Sequence, residues 1–367
     1  MTSRSPLAGF RVGVTSDRRS GDLIDALERR GATVMHAPIM MIVPVAEDDE
    51  LTRDTAAIID AVPDATLITT AYGMRRWSEA ADACGLGEDL MEALAASRIF
   101  VRGPKARGAV RAAGLDDVGI SADERTASMV DMLLAEGVDG LSVAVQLHGY
   151  TDGPQLERLR AAGATVLTVT PYRWVKPEGA ETKVPRLVDA ICNRQLDVVT
   201  FTSAPAVEAL FTTATELGRF EALVESFGSD VVAAAVGPVT AQPLISAGIE
   251  PIVPNRFRMG ALIRLVEEHL STHQVLGFET ALGEVEIRGH SVTLAGRQAL
   301  LSPAPMAIFR ALADAGGAVL SRHELCQRLP EASGTHALDM AMSRLRQNLP
   351  DPELITTVVK RGYRLNV

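Results

Sequence analysis

Apolar positions along the first 270 residues alternate between two registers. Short β-branched runs such as RVGVT (11–15), TLITT (66–70) and DVVTF (197–201) are separated by helix-length amphipathic stretches such as LIDALERR (23–30). Continuous apolar runs suit strands covered on both faces, and the helical stretches supply the cover. The pattern therefore predicts an α/β fold with parallel sheets.

The same region repeats itself. GATV at 31–34 returns at 163–166, ITTA at 68–71 returns as FTSA at 201–204, and Gly103-Pro104 returns as Gly237-Pro238, all at offsets of 132 to 134 residues. So constant a spacing implies two copies of one α/β unit.

The rhythm changes at 271–282, which reads as a linker or an entry strand, and a different module occupies 283–367. Strand-like VEIRG (285–289) and SVTLAG (291–296) precede three helix candidates and a closing pair, ITTVV and YRLNV, giving the order β-β-α-α-α-β-β. Ser302 with Pro303 reads as a helix start whose buried face is Met306, Phe309 and Leu312. Ser321 and Glu324 have capping-box spacing. In HALDMAMSRLRQNL (336–349), Leu338, Met342, Leu345 and Leu349 form one stripe, while the opposite arc carries His336, Met340, Ser343, Arg344 and Gln347. Such a helix can pack on its own domain and still offer donors to a major groove. Thr356, Thr357, Lys360 and Arg361 in the following hairpin suit contact with phosphate.

These segments resemble the winged-helix output domain of OmpR/PhoB-type response regulators. The resemblance assigns DNA contacts to His336, Ser343, Arg344 and Arg346 on the recognition helix and to Thr357, Lys360 and Arg361 in the wing. Val359 stands where that family usually has a wing arginine. The partner implied is double-stranded DNA, bound as a homodimer on repeated half-sites as is common in the class.

Charge agrees once it is divided. The net charge is −10, but residues 276–367 carry 10 Lys and Arg against 9 Asp and Glu, so the acidic excess belongs to the first part. The N-terminus lacks a signal-peptide core and no apolar run could span a bilayer, so no membrane association and a cytoplasmic location are expected. Cys84, Cys192 and Cys326 show no disulfide or metal spacing and are expected as reduced thiols. No cofactor or metal site is expected. P-loop, dinucleotide-binding, GxSxG and HExxH motifs are all missing, as is the acidic cluster of a phosphorylated receiver, and His148 is a lone histidine expected to be structural.

GFRVGVTSDR followed by GATV, DVVTFTSAPAV (197–207), VAAAVGPVTAQPLISAGIEPIVP (232–254) and YRWVKP (172–177) together resemble uroporphyrinogen-III synthase across residues 8–270. The resemblance implies two α/β lobes, 8–40 with 176–270 and 41–175, with a ligand cleft between them. Its substrate would be hydroxymethylbilane, an anionic linear tetrapyrrole, and Tyr172 matches the family's candidate acid. Thr202, Ser203, Gly237, Pro238 and Thr240 match its backbone-donor loops, where helix N-termini can hold carboxylates. Arg102 and Lys105, with Arg75, Arg76 and Arg107, are the candidate basic residues of the other lobe. TTAYGM (69–74), Ala106 and Trp174 depart from the family pattern and put turnover in question.

Three readings of the first module stay open: a ligand sensor, a working synthase, or an interaction scaffold. The layout resembles actinobacterial regulators of nitrate and nitrite assimilation, and the expectation is a DNA-binding transcriptional regulator with a synthase-like sensing domain. The alternative is a bifunctional synthase with an appended DNA-binding domain.

Overall fold

Strand β1 (Arg11–Ser16), helix α1 (Ser20–Glu28) and strand β2 (Thr33–Pro44) open the chain in a computed structural model that describes residues 5–44, 49–149, 152–329 and 335–367. The chain divides into two units: Met1–Met40 with Lys176–Val367, and Met41–Val175.

The second unit is a single α/β layer set. It comprises α2 (Asp49–Ala61), β3 (Ala65–Ile68), α3 (Ala71–Ala83), α4 (Gly87–Ala96), β4 (Arg98–Val101), α5 (Pro104–Ala112), β5 (Asp117–Ile120), α6 (Thr126–Glu136), β6 (Ser142–Gln146), α7 (Gly153–Ala161), β7 (Thr165–Val169) and β8 (Tyr172–Val175). Five of these strands form a parallel sheet in the order β5-β4-β3-β6-β7. Side chains alternate across it: Ile68, Ile99 and Val101 enter one apolar cluster, Leu67, Phe100 and Val143 the other. Burial on both faces is why the strand sequences are continuously apolar rather than alternating. The end of β2, Met41 to Pro44, pairs antiparallel with β8 within this unit.

The first unit resumes with α8 (Ala180–Cys192), β9 (Val198–Phe201), α9 (Ala204–Glu216), α10 (Phe220–Phe227), β10 (Val232–Ala235), α11 (Pro238–Ser246) and α12 (Met259–His273). Its strands run parallel in the order β10-β9-β1-β2. Val199, Phe201 and Ala233 face a cluster under α8 to α11, while Val12, Val198 and Ala234 face α1 and α12.

Residues 271–282 hold no flexible tether. After α12 only Gln274 intervenes before β11 (Val275–Thr280), which pairs antiparallel with β12 (Gly283–Arg288). With β13 (Ser291–Leu294) and β14 (Arg297–Leu300) this makes a four-stranded antiparallel sheet, in which β11 is the entry strand that 271–282 offered and β14 is one strand more than the sequence pattern suggested. No residue of β14 is fully buried, so it lacks the apolar signal that marked β12 and β13. Helices α13 (Pro303–Asp314), α14 (Arg322–Cys326) and α15 (Thr335–Asn348) follow, then the hairpin β15 (Ile355–Val358) and β16 (Gly362–Leu365). Val285, Ile287, Phe309, Leu312, Leu338, Met342 and Leu345 share one core. The capping box at Ser321 and Glu324 is formed in both directions, at 3.2 and 2.7 Å. Ser302 does start α13, but its side chain makes no cap hydrogen bond, leaving Pro303 and backbone geometry to set the start.

This winged-helix module lies in the same unit as the first lobe and meets it along a tight seam. His290 N–H donates to the Gly9 carbonyl at 3.2 Å and the Arg288 guanidinium donates to the Pro6 carbonyl at 2.6 Å. Arg288 also sits 5.8 Å from the Phe10 ring centre, and Arg310 donates to the Gly289 carbonyl at 3.1 Å. Gly9 and Gly289 have φ of 93° and 52°, a region that favours glycine.

Candidate functional site

Three groups of residues carry the expected chemistry, and they are positioned by different elements. The first is the outer face of α15 with the hairpin beyond it. The core stripe turns His336, Met340, Ser343, Arg344 and Gln347 to solvent, and all five are exposed. Arg344 forms no ion pair among the described residues, so its guanidinium is available to a phosphate or base edge. Arg346 differs: it donates to Thr357 Oγ1 at 2.7 Å and stacks 5.8 Å from the Tyr363 ring centre, tying the helix to the hairpin. Asp339 on the same flank pairs with Arg322 at 2.5 Å, and Arg322 also donates to the Tyr363 hydroxyl at 3.3 Å. Lys360 and Arg361 are exposed at the hairpin tip, Lys360 with φ of 63°. On the far flank, Ala337, Met340 and Arg344 border a groove whose other wall includes Asn193 and Gln195 of the first lobe.

The second group lies at the carboxyl ends of β3 and β6, where ligands of parallel α/β sheets ordinarily bind. Tyr172, at the start of β8, is buried; its hydroxyl is 3.3 Å from Thr70 Oγ1 and its ring meets Tyr72 edge-on at 5.1 Å. Burial pushes the phenol above its ordinary pKa, against the lowering influence of Thr70 and the Arg102 charge, so it stays protonated and can donate. Arg102 follows β4 at the turn into α5; Lys105, one turn on, is exposed. The Arg102 charge also bears on His148, whose pKa burial and that charge lower to about 3, and on Asp152, which burial raises. His148 is thus a neutral ring at physiological pH. Arg76 and Arg107 are committed to Glu79 and Asp117 of their own lobe, whereas Arg75 is exposed.

Sequence reasoning passed over the scaffold of this group. Gln146, fully buried at the end of β6, accepts from Thr70 N–H at 3.1 Å, and its carbonyl accepts from Thr69 Oγ1 at 2.7 Å. Thr70 in turn caps α3 through Gly73 N–H at 3.0 Å. The available signal was a lone glutamine closing an apolar strand, a position where a buried amide needs several partners. Gly149, with φ of 90°, lies against Trp174 and Tyr172, and a Cβ there would fall 2.6 and 2.7 Å from those rings.

The third group sits at the equivalent end of the first unit's sheet. Ser203 and Gly237 are the N-caps of α9 and α11, which follow the adjacent strands β9 and β10. Neither cap makes a side-chain hydrogen bond, so the first-turn N–H groups of both helices are left for another acceptor. Thr202 and Pro238 are half-buried, Thr240 is buried, and Phe257 covers Gly237 closely enough that a Cβ there would meet its ring at 3.2 Å.

Residues 21–264 match the family profile described as uroporphyrinogen-III synthase HemD. The chain belongs to this family. Crystal structures of uroporphyrinogen III synthase from the extreme thermophile Thermus thermophilus share the HemD fold seen here. A triple mutant gives a TM-score of 0.64 at 28% identity over 72% of this chain and 100% of its own length. The wild-type enzyme gives 0.54 at 30% identity over 72% and 99%. A Bacillus subtilis (strain 168) relative called uncharacterized protein YjjA is 30% identical over 258 residues, 70% of this chain and 94% of that protein. Beyond the HemD segment, residues 296–365 match the profile described as transcriptional regulatory protein, C terminal. The protein is thus a HemD-family module fused to a response-regulator-type DNA-binding domain. Among the described residues no helix is long and apolar enough to cross a membrane, and no group of three or more His, Cys, Asp or Glu could hold a metal ion.

Proposed function

We propose that this protein is a cytoplasmic transcriptional regulator that binds double-stranded DNA through α15 and the β15–β16 hairpin, with its HemD-family module sensing an anionic tetrapyrrole. The observation carrying the reading is the solvent face of α15, where the exposed Arg344 has no ion-pair partner among the described residues in a helix otherwise tied to its domain. His336, Ser343 and Arg344 would read or flank bases, and Lys360 and Arg361 would hold phosphate. A homodimer on repeated half-sites would double that contact. The proposed targets are genes of nitrate and nitrite assimilation, a choice resting on the two-part layout: nitrite reductase needs siroheme, which derives from the product of the synthase reaction.

Electrophoretic mobility shift with the full chain and nitrite-reductase promoter fragments tests this. Specific retardation, lost on removal of residues 283–367, supports it; no retardation of any such fragment removes the regulatory target, and equal binding by the truncated chain removes the DNA-binding assignment.

A second reading, a bifunctional synthase, is favoured by one observation: Tyr172 is a protonated, buried donor with a guanidinium charge bearing on it. Such a group could assist departure of the hydroxyl of hydroxymethylbilane. The helix N-termini at Ser203 and Gly237 suit carboxylates of the kind that substrate carries. Scoring type III against type I uroporphyrinogen after addition of fresh hydroxymethylbilane decides between the two readings. Type III product above background makes the module an enzyme; type I alone leaves a sensor.

A further inference from the structure

Helix α12 ends on two histidines four residues apart. His269 and His273 lie on one face, a turn from each other, with Leu270, Ser271 and Thr272 between them in the chain. Their ring centres are 5.0 Å apart and the ring planes are inclined at 48°. His273 is exposed and His269 half-buried. Among the described residues neither ring has a hydrogen-bond or ion-pair partner.

The helix itself accounts for only one of them. A cation in the last turn complements the helix dipole, and His273 supplies it alone. A second imidazole one turn back adds repulsion whenever both are protonated, since like charges at i and i+4 destabilise a helix. Packing does not call for the pair either: α12 enters the lobe's core through Leu262, Ile263, Val266 and Leu270. Burial, and then the His273 charge, hold the His269 pKa below its ordinary value. His269 is thus a neutral imidazole near neutral pH, the form that coordinates metal.

Imidazoles at i and i+4 on one helix face are a recurrent donor pair for zinc. In a tetrahedral site each nitrogen sits about 2.0–2.1 Å from the ion and the ring centre about 1.1 Å beyond it, so two bound rings have centres roughly 5 Å apart. The observed 5.0 Å is that separation. Leu270 stands where the HExxH motif has glutamate, and it is fully buried, so the pair has no base for hydrolysis and was passed over in the sequence. Among the described residues no group of three or more His, Cys, Asp or Glu includes these two, which leaves the other coordination positions to water.

We propose that His269 and His273 together bind one divalent transition-metal ion of the zinc, copper and nickel class, completed by water, and so brace the last turn of α12. Imidazole selects these ions over magnesium and calcium, which take oxygen ligands. Only Gln274 separates that turn from β11, so the ion sits where the HemD lobe passes into the DNA-binding domain. The site rests on neither the DNA-binding nor the tetrapyrrole reading.

Isothermal titration of the full chain with zinc chloride, with magnesium chloride as control, tests the proposal. Saturable binding of zinc and none of magnesium is expected. His269→Gln and His273→Gln should each weaken zinc binding at least about tenfold, because on one helix the second imidazole acts at a high effective concentration. Zinc should also raise Tm through mass action, and the rise should shrink in both variants. His273 is exposed, so its variant is expected to keep the parental Tm without metal. Copper-loaded parent should show coupling to two imidazole nitrogens in its paramagnetic resonance spectrum, and each variant coupling to one. No saturable zinc binding overturns the proposal. So does binding undiminished in both variants, which would move the ion to other donors such as Cys84 or His323 with Cys326.

Discussion

His290 donates its backbone N–H to the carbonyl of Gly9, joining two residues 281 positions apart through a hydrogen bond that holds the β12–β13 turn to the entrance of β1. The contact needs glycine beside it. A Cβ on Gly289 would fall 2.7 Å from the Gly9 carbonyl oxygen and 2.9 Å from Asp197 Oδ2, and one on Gly9 would fall 2.8 Å from the Arg288 carbonyl oxygen.

Gly289→Ala should therefore open the seam. The left-handed backbone alone costs roughly 1–2 kcal/mol for a residue with a Cβ, before any clash. Calorimetry is expected to resolve two unfolding transitions, with the DNA-binding domain melting separately and faster trypsin cleavage near Arg288. A single transition at the parental Tm would mean that the seam does not depend on this close approach.

The seam also carries two titrations of opposite sign. Asp197 titrates near 6 when folded against about 3.9 in an unfolded chain, so the folded state binds its proton more tightly and this group's contribution to stability falls as pH rises from about 4 to 6. His290 titrates near 4 when folded against 6.5, so the unfolded state takes up the proton first and its contribution falls as pH drops from 6.5 to 4. Each shift corresponds to about 3 kcal/mol, and the two nearly cancel in the parent. Asp197→Asn is expected to unmask acid lability between pH 6.5 and 4, and His290→Gln to give the opposite slope. Urea denaturation at a series of pH values reads both; parallel slopes in the two variants would contradict the assignment.

Arg344→Ala should weaken specific DNA binding by roughly 1–3 kcal/mol if the guanidinium reads a base edge. Lys360→Ala and Arg361→Ala should each weaken binding on any sequence and lower the slope of log K against log salt by about 1. Arg346→Ala should additionally lower Tm, because Arg346 bonds Thr357 and stacks on Tyr363. Fluorescence anisotropy across a salt series, with a melting curve for each variant, separates the three behaviours.

Tyr172→Phe removes only a 3.3 Å contact with Thr70, so it should cost no more than about 1 kcal/mol of stability. Any type III uroporphyrinogen made by the parent should then fall at least about tenfold in the variant with little change in Tm, as expected for loss of a general acid. Equal product from parent and variant would free Tyr172 from a chemical role.

Much of this was legible in the residues because it rests on local pattern. The repeat marked the two α/β units, the capping box marked α14, and the stripe through Leu338, Met342 and Leu345 oriented α15 so that Arg344 faces outward. What stayed hidden depended on distant partners. Strand β14 buries no residue fully and carries little apolar signal, and for 271–282 the local pattern left a linker and an entry strand open until β11 paired with β12. Arg346 looked equivalent to Arg344 until the hairpin claimed it. Gln146 and Thr70 form one network only because β3 and β6 are adjacent. Asp197, Gly289 and His290 gave no warning of a seam, since nothing in a sequence shows that residue 9 meets residue 290.

That meeting has a consequence for synthesis. Residues 41–175 form a contiguous unit whose sheet is complete once β7 has left the ribosome, so it can fold while the rest is being made. Strand β1 has β2 beside it at once but gains β9 only much later, and Pro6 must wait for Arg288, 282 residues on. A chain cut short before the β12–β13 turn keeps the pairing of β1 with β2 and β9 but loses the contacts of Pro6 and Gly9 with Arg288 and His290.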